Sequence, residues 1–269
     1  MKTGLNLRKK ALFNSKDGNT VIIAMDHGAI VGAMPGIEKP HQLVKSCVDA
    51  EIDGILTNKG FVDAAADTWD RCTSLVLRLT GGFTVLGGGF QEELIVEPET
   101  AVSYNAACAA ITVKFGHERE GTFIKQASLA VDKCHALGIP VMVEAMAKGT
   151  LKGESFPANN EDAIRMVARM GAEMGADLIK TYYTGTIDSF KKVTEECPVP
   201  IVILGGTKTD SVRDVFQDIY DSLQAGGKGI AVGRNIWGHG NVEAMLAAVN
   251  GIVHRNWDVA TACKEVGVE

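Results

Sequence analysis

At 269 residues the chain is close to the roughly 250 typical of a (β/α)8 barrel, and is also long enough for two ordinary domains. Its 46% apolar and 22% charged content belongs to a globular protein, and no apolar run approaches the ~18 residues of a membrane span. The net charge of −6, with Lys and Arg scattered along the chain, argues against nucleic acid as the main partner.

The opening stretch, Met1 to Lys10, is polar and basic, without the apolar run and small-residue cleavage site of a secretory leader, which predicts a cytoplasmic protein. From residue 20 onward, short β-rich apolar runs alternate with amphipathic stretches of helical length, the pattern of a parallel α/β sheet. The predicted strands are Thr20 to Asp26, Gly54 to Thr57, Leu75 to Thr80, Ala109 to Phe115, Val141 to Ala145, Leu178 to Tyr183, Ile201 to Leu204 and Gly229 to Val232. Helices are predicted near 40 to 50, 62 to 71, 99 to 106, 118 to 137, 160 to 175, 187 to 196, 211 to 226 and 241 to 256. The fifth opens at Asn159-Asn160 before Glu161 and Asp162, whose charges suit a helix N-terminus, and closes at Gly175. Its residues Ile164, Val167, Ala168, Gly171 and Ala172 form one sheet-facing stripe.

No linker or low-complexity segment divides the sequence, so it reads as a single α/β domain, a (β/α)8 TIM barrel over 1–269 with a short N-terminal extension over 1–19. An open doubly wound sheet would lead its first strand into a Gly-rich dinucleotide loop, whereas this one leads into Asp26-His27-Gly28. Gly81, Gly82 and Gly87-Gly88-Gly89 fit neither G-x-G-x-x-G nor a Walker motif and are read as turn glycines. The six cysteines form no C-x-x-C pair and are read as buried structural thiols. The histidines show no metal-binding spacing, so neither a metal nor a cofactor is expected.

Barrel enzymes carry their chemistry at the C-terminal ends of the strands. Here those ends hold Asp26 and His27, Asn58 and Lys59, Arg78, Lys114 and His117, Glu144 and Lys148, Lys180 with Tyr182, Gly205-Gly206, and Gly233-Arg234-Asn235. Lys180 follows Leu178-Ile179 inside a predicted strand, where an ammonium is costly to bury. One reading is a nucleophile whose pKa is lowered by desolvation and a neighbouring cation such as Lys148; the other is an ion pair with Asp26 or Glu144. Asp26 and His27 are adjacent on extended chain, so only one is expected to face the interior, and Asp26 is chosen as a proton shuttle. Leu204-Gly205-Gly206-Thr207-Lys208-Thr209 and Val232-Gly233-Arg234-Asn235 follow the last two strands, where many barrels hold a phosphate. Glycine admits backbone N–H groups close to an anion, and arginine adds a bidentate contact.

Three strings, Ala24-Met25-Asp26-His27-Gly28, Asp177-Leu178-Ile179-Lys180-Thr181-Tyr182-Tyr183-Thr184-Gly185 and Gly229-Ile230-Ala231-Val232-Gly233-Arg234-Asn235-Ile236, together resemble the archaeal-type class I fructose-bisphosphate aldolase family, over about residues 20 to 256. That family also contains an aminodideoxyheptulosonate synthase and a thiolase that degrades a phosphorylated quorum-sensing signal. The resemblance implies a Schiff-base lysine at Lys180, proton transfer at Asp26, and a phosphate held by Gly205, Gly206, Gly233 and Arg234. It also implies a homo-oligomer. The aldolases carry a tyrosine general acid in a Tyr-Pro-Arg-Gly stretch where this chain reads Met146-Ala147-Lys148-Gly149. Glu144, Tyr182, Lys148 or a water is then left to donate that proton, and the substitution makes the chain look more like the thiolase branch.

The expected activity is that of a carbon–carbon lyase of glycolytic type, cleaving a phosphorylated ketose such as fructose 1,6-bisphosphate. Transaldolase-like or thiolase-like transfer on a related phosphorylated ketone is the alternative, and a non-catalytic phosphosugar-binding barrel is a third.

Overall fold

The computed structural model describes residues 2–87, 91–151, 153–206 and 211–268. Among them, eight parallel strands close into a barrel: β1 (Thr20–Ala24), β2 (Gly54–Thr57), β3 (Ser74–Arg78), β4 (Cys108–Phe115), β5 (Val141–Ala147), β6 (Leu178–Thr181), β7 (Ile201–Leu204) and β8 (Gly229–Val232). Each strand pairs with its sequence neighbours, and β8 closes on β1 with Thr20 opposite Gly229 and Ile23 opposite Val232. All eight predicted strands are present, with ends shifted by up to two residues.

Between the strands run helices Pro40–Asp49, Lys59–Ala65, Pro98–Ser103, Glu120–Ala136, Glu161–Glu173, Ile187–Glu196 and Val212–Gln224, and Val242–His254 follows β8. Glu161–Glu173 shows why they form where they do. Asn160 caps it by accepting a hydrogen bond from Ala163 N at 3.0 Å, and the chain leaves through Gly175 at φ 95°. Its buried face is Ala163, Ile164, Val167, Ala168 and Gly171; Ala172, assigned to the same stripe from spacing, is only partly buried. A Cβ on Gly171 would stand 2.8 Å from Ile179 Cδ1, so that glycine sets how closely the helix sits on β6.

Alternation along the strands divides the apolar residues into two cores. Val21, Ile23, Ile55, Val143 and Ile179 point outward to the helices, while Ile22, Ala24, Leu56, Val76, Ala110, Met142, Leu178, Val202 and Ala231 fill the barrel. Leu12 joins the inner group from helix Lys2–Leu12, within the N-terminal extension over 1–19; it plugs the N-terminal mouth. Five cysteines are buried and Cys72 is exposed, a departure from the expectation that all six are structural.

At that same end, two aspartates hold the starts of strands. Asp53 Oδ2 accepts from Val21 N at 2.7 Å, and Asp177 Oδ2 accepts from Val141 N at 3.0 Å. His254 bridges Asp17 (Nδ1, 2.7 Å) and Asp53 (Nε2, 2.8 Å). Burial works against its imidazolium, but the two carboxylates outweigh burial and raise its pKa above 6.5. A raised folded-state pKa adds stability that is complete below 6.5 and fades as pH climbs through the raised value. His254→Gln is therefore expected to lower Tm by about 3 °C or more near pH 6 and by clearly less near pH 9, read by thermal melts at both pH values. An equal loss at both would refute a charged clamp.

Candidate active site

Two residues further along each inward row, the apolar filling gives way to charge. Val76 leads to Arg78, Ala110 to Thr112, Met142 to Glu144 and Leu178 to Lys180, so four polar side chains from β3 to β6 form one layer on top of the apolar one. Arg78 and Lys180 are 7% and 4% exposed, which is tolerable only with partners close by. The β5–β6 register sets Lys180 beside Glu144, and Lys180 Nζ stands 2.8 Å from Glu144 Oε1.

Arg78 ties the layer together. Its Nη2 lies 2.6 Å from Asp26 Oδ2 and 2.7 Å from Glu144 Oε2, and its Nη1 donates to Thr112 Oγ1 at 2.5 Å. Thr112 donates in turn to Glu144 Oε2 at 3.0 Å. Burial pushes the Glu144 carboxyl up, but Lys180 and Arg78 pull it down further, to about 2. Asp26 is likewise held well below the usual carboxylate range, burial being outweighed by Arg78, His27 and Lys180. The guanidinium of Arg78 is correspondingly raised by Asp26 and Glu144 against its own burial. The layer thus holds two cations against two carboxylates. Of the two readings of Lys180, the resting structure takes the ion pair with Glu144.

Above this layer opens a cavity of about 310 Å³. Its floor includes Asp26, Arg78, Thr112, Glu144 and Lys180; Gly205, Gly206, Gly233 and Arg234 line one wall. Arg234 Nη2 donates to Gly206 O at 2.6 Å and Asn235 Nδ2 to Gly205 O at 2.7 Å, which joins the loops after β7 and β8. Thr207, Lys208 and Thr209 lie outside the described residues, as do Gly88 and Gly89. Tyr182 also lines the cavity, and burial raises its pKa, so the phenol keeps its proton at neutral pH.

The structure brings Lys180, Asp26, Glu144, Tyr182, Gly205, Gly206, Gly233 and Arg234 to one cavity. It does not bring Lys148, which is exposed at the end of β5 and does not line the cavity. The expectation that only one of Asp26 and His27 faces inward is also corrected. β1 ends at Ala24, and both residues sit in the turn that follows, where extended-chain alternation no longer applies; both line the cavity. Their side chains meet, His27 Nδ1 lying 3.4 Å from Asp26 Oδ1. Lys59 and His117, two other strand-end residues, are not part of the lining.

Sequence reasoning gave no role to Arg78, Thr112 or Glu92. An arginine ending the apolar run Leu75-Val76-Leu77 was the available signal for Arg78, by the logic applied to Lys180. Met146, in contrast, lines the cavity as its alignment with the family tyrosine implied. Among the described residues, no group of three or more His, Cys, Asp or Glu side chains has a metal-binding arrangement, and no helix is long and apolar enough to cross a membrane.

Comparison with known proteins agrees with the barrel fold. A model of the DeoC/LacD family aldolases matches residues 20–239. A 3-hydroxy-5-phosphonooxypentane-2,4-dione thiolase of Yersinia pseudotuberculosis is 34% identical over 265 residues, covering 96% of this chain and 85% of that protein. Among solved structures, an archaeal fructose 1,6-bisphosphate aldolase superposes with a TM-score of 0.83 at 26% identity, covering 93% of this chain and 98% of that one. A structure of the Schiff base-forming fructose-1,6-bisphosphate aldolase matches equally well, with a TM-score of 0.83 and 26% identity over 93% of this chain and all of that one. A fructose-bisphosphate aldolase from Slackia heliotrinireducens shares the fold, with a TM-score of 0.87 at 16% identity over 99% of this chain and 92% of that one. With a carboxylate-paired lysine in a barrel strand and a match over most of its length, the chain belongs to the DeoC/LacD aldolase family.

Proposed function

We propose that the protein is a Schiff-base enzyme that breaks a carbon–carbon bond in a phosphorylated ketone and passes the released acyl group to a thiol. The observation that carries the Schiff-base reading is Lys180, an amine at the floor of the cavity, 2.8 Å from a carboxylate that can take a hydrogen bond from it but keeps no proton near neutrality. Once its proton has gone to solvent or substrate, Lys180 Nζ attacks the ketone carbon and forms a carbinolamine, which dehydrates to an iminium. The iminium accepts the electron pair of the breaking bond. Asp26, ionised and hydrogen-bonded by Arg78 Nε at 2.8 Å, stabilises the cationic adduct and receives protons only transiently.

The wall of Gly205, Gly206, Gly233 and Arg234 is assigned to the substrate phosphate, where it supplies binding energy away from the reacting bond. Transfer to a thiol is favoured over aldol cleavage by Met146, a cavity side chain that exchanges no proton, and by the 34% identity to a thiolase. On a 2,4-dione with a terminal phosphate, the thiolate adds to the distal carbonyl. The bond to C3 then breaks, and its electrons flow into the iminium at C4. Cleavage of fructose 1,6-bisphosphate is the second reading, supported by the 26%-identical fructose 1,6-bisphosphate aldolase structures.

Borohydride added during turnover of either compound is expected to leave a reduced adduct on the peptide holding Lys180, with none in Lys180→Ala and turnover down by at least about 10³-fold. An adduct elsewhere, or none, would refute the Schiff base. Using coenzyme A as the thiol probe, thioester formation from the dione without triose phosphate release from fructose 1,6-bisphosphate is expected; the opposite pattern selects the lyase. Arg234→Ala is expected to raise KM by about 10- to 100-fold while kcat changes little, and an unchanged KM would remove the phosphate from this wall.

A further inference from the structure

Glu92 is a buried carboxyl that the chemistry above does not use. The chain leaving β3 forms a small antiparallel pair, Thr80–Gly81 with Glu93–Leu94, that folds back across the barrel mouth. The residues flanking Glu92 are fastened outward. Gln91 and Glu93 both pair with Arg119, Glu93 also accepts from Gln126 Nε2 at 2.7 Å, and Leu94 N donates to Gln126 Oε1 at 3.0 Å. Ile95 N and Val96 N are held by Leu79 O at 2.9 and 3.1 Å. Alternation on this extended segment turns Glu92 the other way. It is 7% exposed and lines the same cavity as Lys180.

The charged groups around it come from three strands: Arg78 on β3, Lys114 on β4 and Glu144 on β5. Lys114 in turn feels Lys148. Lys114 is the cross-strand partner of Met146, so Glu92 stands on the side of the mouth where the family tyrosine is missing. Arg78 is already taken by Asp26 and Glu144. Glu92 is therefore a third acid beside one guanidinium, and burial, only partly offset by Arg78 and Lys114, pushes its carboxyl up to about 7. Burial lowers Lys114 to about 8. Of the three cavity carboxyls, Glu92 is the one that carries a proton and can release it near neutral pH.

We propose that Glu92 is a catalytic acid of this site, donating the proton with which the Lys180 carbinolamine loses water. This rests on the Schiff-base reading. The lone pair of the lysine nitrogen forms the C=N bond, the C–O bond breaks, and the leaving hydroxyl takes the Glu92 proton and departs as water. Glu92 is left as a carboxylate facing Arg78 and Lys114, and hydrolysis of the product iminium returns the proton to it.

The test is the rate of borohydride-trappable adduct formation with dihydroxyacetone phosphate, followed from about pH 5.5 to 9 by quench and intact mass. Wild type is expected to show a rate that falls as pH rises through about 7. Glu92→Gln is expected to trap about 10²-fold more slowly and without that limb, and Glu92→Asp to recover part of the rate and the limb. Lys114→Met, which removes a cation that lowers the Glu92 carboxyl, is expected to move the limb to higher pH. Melting temperatures of the variants show whether each is folded, and the Asp and Lys114 variants decide the matter if Glu92→Gln is not. Adduct formation in Glu92→Gln at the wild-type rate with the limb intact overturns the proposal and leaves the Schiff base standing. No adduct in wild type overturns both.

Discussion

The guanidinium of Arg78 is the interaction on which the site depends. It touches Asp26, Glu144 and Thr112 at once, from inside a barrel where none of these groups has much water. Two carboxylates this close would repel and take up protons if left alone; with Arg78 and Lys180 between them they form a neutral quartet. Replacing Arg78 by a neutral residue would leave two buried anions facing one lysine, a change costing several kcal/mol in comparable buried pairs. The apolar layer below serves the same end. Ala24 and Ala110 on β1 and β4 are small, which leaves room in the barrel axis for the long side chains of Arg78 and Lys180 above them.

The same pairing that makes the layer stable restrains the proposed nucleophile. Lys180 is held by Glu144, and a carboxyl lowered to about 2 is a good hydrogen-bond acceptor but a poor place to leave a proton. Asp26, lower still, is no better. The floor of the cavity is thus an electrostatic platform, suited to stabilising the positive charge of an iminium. Groups that gain and lose protons near neutrality stand above it, on the mouth side, at Glu92 and Lys114. In the proposed reaction, this separation would keep the ion pairs intact while protons move.

Much of this was legible in the sequence because strand periodicity and barrel geometry are local rules. Eight short apolar runs separated by stretches of helical length located the strands to within two residues, and the polar residues at their ends located the cavity. The rules fail where the chain stops being extended. Asp26 and His27 lie two and three residues past the end of β1, so alternation misassigned His27, and Lys148 lies just past the inward row of Glu144 and Met146 and faces solvent. Glu92 was invisible for a different reason. Its position follows from contacts of its neighbours with Arg119 and Gln126, some 30 residues away, and no spacing within the loop encodes them. Helix Lys2–Leu12 fills the barrel bottom through little more than Leu12, too small an apolar signal to read beforehand.

The wall assigned to phosphate owes its shape to how the barrel closes. A Cβ on Gly233 would stand 2.3 Å from Ala24 O and 3.0 Å from Trp237 Nε1, so only glycine lets β8 turn away this close to β1. Trp237 Nε1 donates to that same Ala24 carbonyl at 2.8 Å, and its ring meets His27 edge-on at 5.6 Å. Gly36 is pressed against the Trp237 carbonyl, where a Cβ would fall 2.1 Å from the oxygen. The contacts that seal β1 to β8 therefore also fix Gly233 and Arg234, and through Arg234 and Asn235 they hold Gly205 and Gly206. In the proposed reaction, an anion bound there would meet backbone that is already in place, so its binding energy would not be spent on ordering a loop and would remain for holding the ketone against Lys180.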